Sequence, residues 1–228
     1  MTTTDNRHDC TVADSGLAGT TDASLDTIFT TLADRRCRAV VRHLVGMDAR
    51  SVGFEDLARA LATDPDGPAE VERAETLLHH SLLPRLGDAG FVEHDTECGV
   101  VHYTSDADLE TALDAVQRFA DGDPPVALDT LLELLADDSR RCALRTLLVH
   151  EELTLPDLAD EVTVEREERP LTQIDPQTVL QTYLSLYHTH VPRLTDAGLA
   201  VYDQEHDLVA ATELGLALTD PIRTLCEG

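Results

Sequence analysis

The chain has 228 residues, with 17 basic side chains against 44 acidic ones, a formal net charge of -27, and 42 % hydrophobic but only 4 % aromatic residues. The length suits one large domain or two small ones, and the hydrophobic fraction is enough for packed cores, which excludes wholesale disorder. No apolar run approaches the ~20 residues that span a bilayer, and the polar stretch Met1 to Thr21 has no signal-peptide core, so a soluble, cytoplasmic protein with no membrane association is expected.

Residues 1–24, rich in Thr, Asp and Gly, read as a flexible acidic tail. Leu25, Ile28, Phe29 and Leu32 fall at helical spacing, and after the cap residue Asp34 so do Val40, Val41, Leu44 and Val45. Ser51 to Phe54 is a short extended stretch, followed by a brief helix from Glu55 to Leu61 and a loop through Asp64-Pro65-Asp66-Gly67-Pro68. A long helix runs from Val71 to Ala89 and ends at Gly90, a residue suited to positive φ. Phe91–Asp95 and Val100–Thr104 then alternate as two strands around a Thr96–Gly99 turn. The same order returns: helices at 128–135, 138–149, 155–161 and 176–197, strands at 199–203 and 208–212, and a closing helix.

The return is a repeat. Leu25–Asp34 aligns without gaps on Leu128–Asp137, and the register carries Arg38 onto Arg141 and Arg42 onto Arg145. Pro84-Arg85-Leu86-Gly87-Asp88-Ala89-Gly90 aligns on Pro192-Arg193-Leu194-Thr195-Asp196-Ala197-Gly198, with His80 on His188. Matched blocks in one order predict two copies of one domain, at 25–119 and 126–228, joined by a proline-containing linker at 120–125. The predicted fold is mainly α with small β-hairpins (α+β): two tandem winged helix-turn-helix domains.

The segments Leu83-Pro84-Arg85-Leu86-Gly87-Asp88-Ala89-Gly90-Phe91-Val92 and Val191-Pro192-Arg193-Leu194-Thr195-Asp196-Ala197-Gly198-Leu199-Ala200 resemble the recognition-helix and wing segment of arsenic-repressor-like regulators. With the His-x-x-x-Pro-Arg-Leu pattern and an arginine-bearing second helix, the chain is similar over about 200 residues to a haloarchaeal family of winged-helix domains that occur singly or in tandem. The resemblance implies a transcription regulator whose partner is double-stranded DNA.

The charge agrees with that taxon. All 17 basic residues are arginine, and the net charge is spread, -9 over 25–119 and -12 over 126–226. An acidic tail would concentrate it. In molar salt the Debye length falls to about 3 Å and dispersed carboxylates keep a surface hydrated, so the charge describes the solvent and does not exclude nucleic acid.

On the second long helix, Leu180, Leu184, Tyr187, Val191 and Leu194 read as the core stripe, which leaves Gln181, Ser185, His188, Thr189 and Arg193 to face DNA. The equivalent candidates in the first are Arg73, His80, Ser81 and Arg85, beside Leu77. Against DNA stand Glu97, Glu205 and Asp207 in the wing turns, Glu70, Glu72 and Glu75 at the start of the first helix, and Pro84 and Pro192, which interrupt both. The second repeat is the better reader. Arg35, Arg36, Arg38 and Arg42, with Arg140, Arg141 and Arg145, suit carboxylate pairs within the fold better than phosphate contacts. The alternative is a protein-interaction module or homodimer that reads no DNA. No nucleotide, zinc-protease or serine-hydrolase motif is present, so no enzyme is expected. Cys10, Cys37, Cys98, Cys142 and Cys226 are an odd number, widely spaced and without a C-x-x-C pair, so no disulfide framework is expected. Metal or redox sensing would need Cys37, Cys98 and Cys142 to converge with His79, His80 and His102; no metal or cofactor is expected.

Overall fold

The computed structural model describes residues 24–47 and 50–227. The tail expected over 1–24 therefore lies outside the described residues, apart from Ser24, whose hydroxyl accepts from the Thr27 amide at the start of α1 (Leu25–Ala33). The first repeat continues through α2 (Arg35–Val45), β1 (Ser51–Gly53), α3 (Phe54–Thr63), α4 (Val71–Leu77), α5 (Leu83–Asp88), β2 (Val92–Asp95), β3 (Val100–Tyr103) and α6 (Ala107–Asp121). The second follows with α7 (Leu128–Leu135), α8 (Asp138–His150), β4 (Glu152–Thr154), α9 (Leu155–Glu167), α10 (Pro176–Ser185), α11 (Val191–Asp196), β5 (Ala200–Asp203), β6 (Leu208–Ala211), α12 (Glu213–Ala217) and α13 (Thr219–Glu227). Helices dominate, each repeat carries one small antiparallel sheet, and the order is that of a winged helix-turn-helix, twice.

The local causes repeat as well. Asp34 accepts from the Arg36 and Cys37 amides and Asp137 from the Arg140 amide, so the second helix of each repeat begins on an aspartate cap. Gly90 and Gly198 take φ of 81° and 73°, which lets the amides of Phe91 and Leu199 return to the carbonyls of Leu86 and Leu194. This closes the recognition helix and aims the chain into the wing. In each sheet the strand after the second helix pairs with the far strand of the hairpin, giving the orders β1-β3-β2 and β4-β6-β5. Ser51 lies opposite His102 and Glu152 opposite Ala210. The closing helix expected only in the second repeat has a counterpart, α6, that the first repeat's pattern did not announce, and α9 runs a turn and a half beyond its expected end.

The repeats are not beads on a string. Ile28, Phe29 and Leu32 of α1 and Leu131, Leu132 and Leu135 of α7 are fully buried in one core that runs through both halves. α1 packs on α7, and α6 on α13. Among the described residues, two ion pairs cross this seam. The Arg38 guanidinium meets Asp129 at 2.5 Å, and the Arg141 guanidinium meets Asp26 at 2.7 Å. Because Asp26 aligns with Asp129 and Arg38 with Arg141, each repeat offers the other the same two groups, the signature of an isologous two-fold contact. Arg38 also donates to the Leu32 carbonyl and Arg141 to the equivalent Leu135 carbonyl. Among the described residues, no helix is long and apolar enough to cross a membrane.

Candidate nucleic-acid interface

In both repeats the recognition helix is one continuous rod with a wider turn inside it. Leu78–Leu82 and Leu186–His190 are π-helical, so the amides of Leu83 and Val191 bond the carbonyls of Leu78 and Leu186, five residues back. The cause is the proline that follows. Pro84 and Pro192 have no amide to give the carbonyls of His80 and His188, and their rings would crowd those carbonyls in a regular α-turn; the wider turn relieves both problems. The prolines therefore do not end the helix at its middle.

The extra residue overturns the expected core stripe. Leu180, Leu184 and Tyr187 are 48 %, 38 % and 39 % exposed. A stripe anchored at Val191 and Leu194 and counted back at 3.6 residues per turn through a π-turn arrives on the wrong face. The buried positions are Thr182, Leu186, His190, Val191 and Leu194, which match Ala74, Leu78, Leu82, Leu83 and Leu86 of the first repeat. The displaced residues form an apolar strip between helix and wing: Tyr187 stacks with Tyr183 at 6.3 Å and meets the Tyr202 ring edge-on at 6.2 Å. At the corresponding site of the first repeat the His94 ring stacks on Phe54 at 5.5 Å with His79 edge-on to both. Burial and the neighbouring His79 hold the His94 imidazole below its ordinary value.

Of the predicted contact residues, Gln181, His188, Thr189 and Arg193 are exposed, as are Arg73, His80 and Arg85; Ser81 and Ser185 are half-buried. Arg85 is committed elsewhere, with its guanidinium 2.6 Å from Asp34. Burial works against the charge of Asp34, but Arg85 and the two capped amides outweigh it and hold the carboxyl below its usual value. Arg193 has no ion pair among the described residues. The cap that its counterpart Arg85 engages is in this repeat turned toward His190, whose Nδ1 lies 3.5 Å from Asp137. Ser185 in turn places its hydroxyl 2.8 Å from His190 Nε2.

His190 replaces the Leu82 of the first repeat, is 5 % exposed, and leaves Nδ1 without a hydrogen bond. Burial first, and then the charges of Arg140, Arg193 and Arg166 against the opposing pull of Asp137, push its pKa down. An unfolded chain thus takes up this proton at higher pH than the folded one. The stability contributed is complete above the ordinary histidine value of about 6.5 and is lost as pH falls from there through the folded value. His190→Leu is expected to stabilise the protein by about 1 kcal/mol at pH 7. Urea unfolding of native and variant between pH 7.5 and 5 should show their difference widening as pH falls; a constant difference would contradict this account.

The electrostatics of the two rods differ sharply. Pro176–Thr195 contains no carboxylate and is the longest such run in a chain of 44 acids, while the first rod opens on Glu70, Glu72 and Glu75. Asp95 accepts from the Glu97 and Cys98 amides and Asp203 from those of Glu205 and His206, building each wing turn; the carboxylates of Glu97 and Glu205 stay exposed, and Asp207 accepts from the Tyr202 hydroxyl. The arginine clusters serve the fold. Arg140 donates to the Leu134 and Glu133 carbonyls, Arg42 pairs with Asp64, and Arg145 with Glu165. Cys37 and Cys142 are buried in different repeats, where burial pushes their thiols up to about 11 and about 12. Cys98 lines a cavity together with His79 and His94. Among the described residues, no group of three His, Cys, Asp or Glu side chains is arranged to hold a metal.

The family described as Domain of unknown function (DUF7344) matches residues 29–102 and, a second time, residues 132–210. No curated protein and no solved structure matches the chain.

Proposed function

The chain belongs to the DUF7344 family in both of its repeats, and on that premise we propose that it is a DNA-binding transcription regulator, cytoplasmic and adapted to high salt, in which the second repeat reads the duplex. One observation carries the reading: the longest carboxylate-free segment of a strongly acidic chain is the helix that a winged helix-turn-helix lays in the major groove. Its outward residues Gln177, Gln181, His188, Thr189 and Arg193 are exposed hydrogen-bonding groups, the kinds that contact bases and phosphates. The first repeat, with glutamates at the same end and Arg85 tied to Asp34, supports and orients the reader.

A second reading, a protein-interaction module or homodimer, is favoured by the exposed strip of Leu180, Leu184, Tyr187 and Val201. Fluorescence anisotropy with duplexes selected from a random pool, in molar KCl, separates the two. Native protein is expected to bind selectively and Arg193→Ala to bind about tenfold more weakly, the loss of one charged contact of ~1.4 kcal/mol. Arg85→Ala should bind nearly as the native chain does. Unselective binding with no effect of Arg193→Ala would transfer the assignment to the interaction module.

A further inference from the structure

We propose that the second repeat reads A·T pairs and recognises thymine by its methyl group; the inference rests on the DNA-reading assignment above. The residues that meet base edges from a recognition helix lie in its first turns. In α10 these are Gln177, Leu180, Gln181 and Leu184, all exposed. Gln177, Gln181 and Leu184 follow one another at intervals of four and three within α10 and share a face, with Leu180 one turn before Leu184.

The chemistry of that face is selective by what it contains and by what it lacks. Glutamine offers a donor and an acceptor to the N7 and N6 of adenine, and an aliphatic side chain covers the thymine methyl. Guanine is met by a guanidinium or ammonium at O6 and N7, and the amino group of cytosine by a carboxylate. Between Pro176 and Pro192 there is no Arg, Lys, Asp or Glu. Two leucines held in water on a solvent-facing helix are also an unexplained cost for an isolated chain, at about 25 cal/mol per Å2 of apolar surface, and a row of methyl groups in the groove removes it.

The same set suits concentrated salt. Contacts by Gln and Leu release no counterions, so their contribution does not decay as ionic strength rises, unlike binding built on phosphate neutralisation. The first repeat carries Glu72, Glu75 and Thr76 where the second has Leu180, Tyr183 and Leu184. The preferred target is therefore a single A·T element and not an inverted repeat, even though the repeats meet through a two-fold contact.

The test uses the full chain and three synthetic duplexes: the best sequence from the random pool, the same duplex with uracil for thymine, and the same with 7-deazaadenine for adenine. The selected sequence is expected to be A·T-rich and without a palindrome. Uracil should weaken binding about fourfold for each methyl contacted, the worth of one buried methyl or methylene. Leu184→Ala should lower the preference for thymine over uracil about fourfold, the share of one methyl contact, and Gln181→Ala should weaken the response to 7-deazaadenine. Selective binding with equal affinity for thymine and uracil duplexes overturns the inference and leaves the DNA-reading assignment standing. Absence of selective binding overturns both. If Leu184→Glu converts a self-associating protein to a monomer in sedimentation velocity and the native duplex contacts are insensitive to the methyl, the strip is an interface between copies and the inference falls.

Discussion

Arg141→Ala should cost about 3 kcal/mol of unfolding free energy, whereas removing its cross-repeat partner, Asp26→Ala, should cost less than about 1 kcal/mol. The asymmetry follows from burial. Arg141 is 7 % exposed and donates to the buried Leu135 carbonyl as well as to Asp26 and Asp138, with its guanidinium 5.8 Å above the Phe29 ring. Truncating it strands a buried acceptor, removes a cation–π contact and opens a void in the seam. Asp26 and Asp138 are nearly half exposed and rehydrate when unpaired. Lysine should not restore the loss, because a single ammonium does not reach three directions as a planar guanidinium does. Urea unfolding at fixed salt measures all three variants. Equal losses for Arg141→Ala and Asp26→Ala would show that the ion pair, and not the buried carbonyl, holds the seam.

A comparable loss, about 3 kcal/mol, is expected for Gly67→Ala. A Cβ at this position would stand 1.8 Å from the Leu61 carbonyl oxygen and 2.9 Å from its carbon, both backbone atoms at the end of α3. The turn has little freedom to yield: the Gly67 amide bonds the Asp64 carbonyl, the Asp64 carboxylate accepts from the Asp66 amide, and Arg42 pairs with that same carboxylate. Relief requires moving the loop that leads into the first recognition rod. The second repeat has no glycine in the corresponding loop, so the variant should unsettle the first repeat selectively. Hydrogen exchange of α3 and α4 amides against α9 and α10 amides reports this, and uniform loss of protection across both repeats would contradict it.

Much of the architecture was legible because it is written twice. The aspartate caps, the terminal glycines and the hairpins each have local chemical causes, and agreement between two copies strengthened every one of them. The register of the recognition helix was not legible. Periodicity assumes a constant turn, and the π-turn ahead of Pro84 and Pro192 breaks that assumption at the place where buried and exposed faces must be told apart. The signal was present in the proline itself, since an interior proline on an uninterrupted amphipathic helix leaves a wider turn as one of few ways to continue. The alignment of the repeats carried a second signal that the expected stripe did not use: the apolar Ala74, Leu78 and Leu82 fall on Thr182, Leu186 and His190, the positions found inside. The seam between the halves was half-written in the same alignment, in Asp26 over Asp129 and Arg38 over Arg141, but nothing in one chain says whether such pairs close within a repeat or across. The contact residues of the second helix fared unevenly. Gln181, His188, Thr189 and Arg193 lie outward, whereas Ser185 is drawn toward a histidine that only the structure places in the core.

The exchanged arginine and aspartate pairs have one more consequence. A symmetric dimer of single repeats must accept every substitution in both subunits at once, and it separates on dilution. Here the peptide between α6 and α7 keeps the halves at a fixed effective concentration, so the paired state does not depend on how many molecules a cell holds. Occupancy of any target that needs both halves should follow the first power of chain concentration and not the second. The same fusion lets the halves differ: one rod carries Leu180 and Leu184 where the other has Glu72 and Thr76, while the seam that joins them holds matched groups.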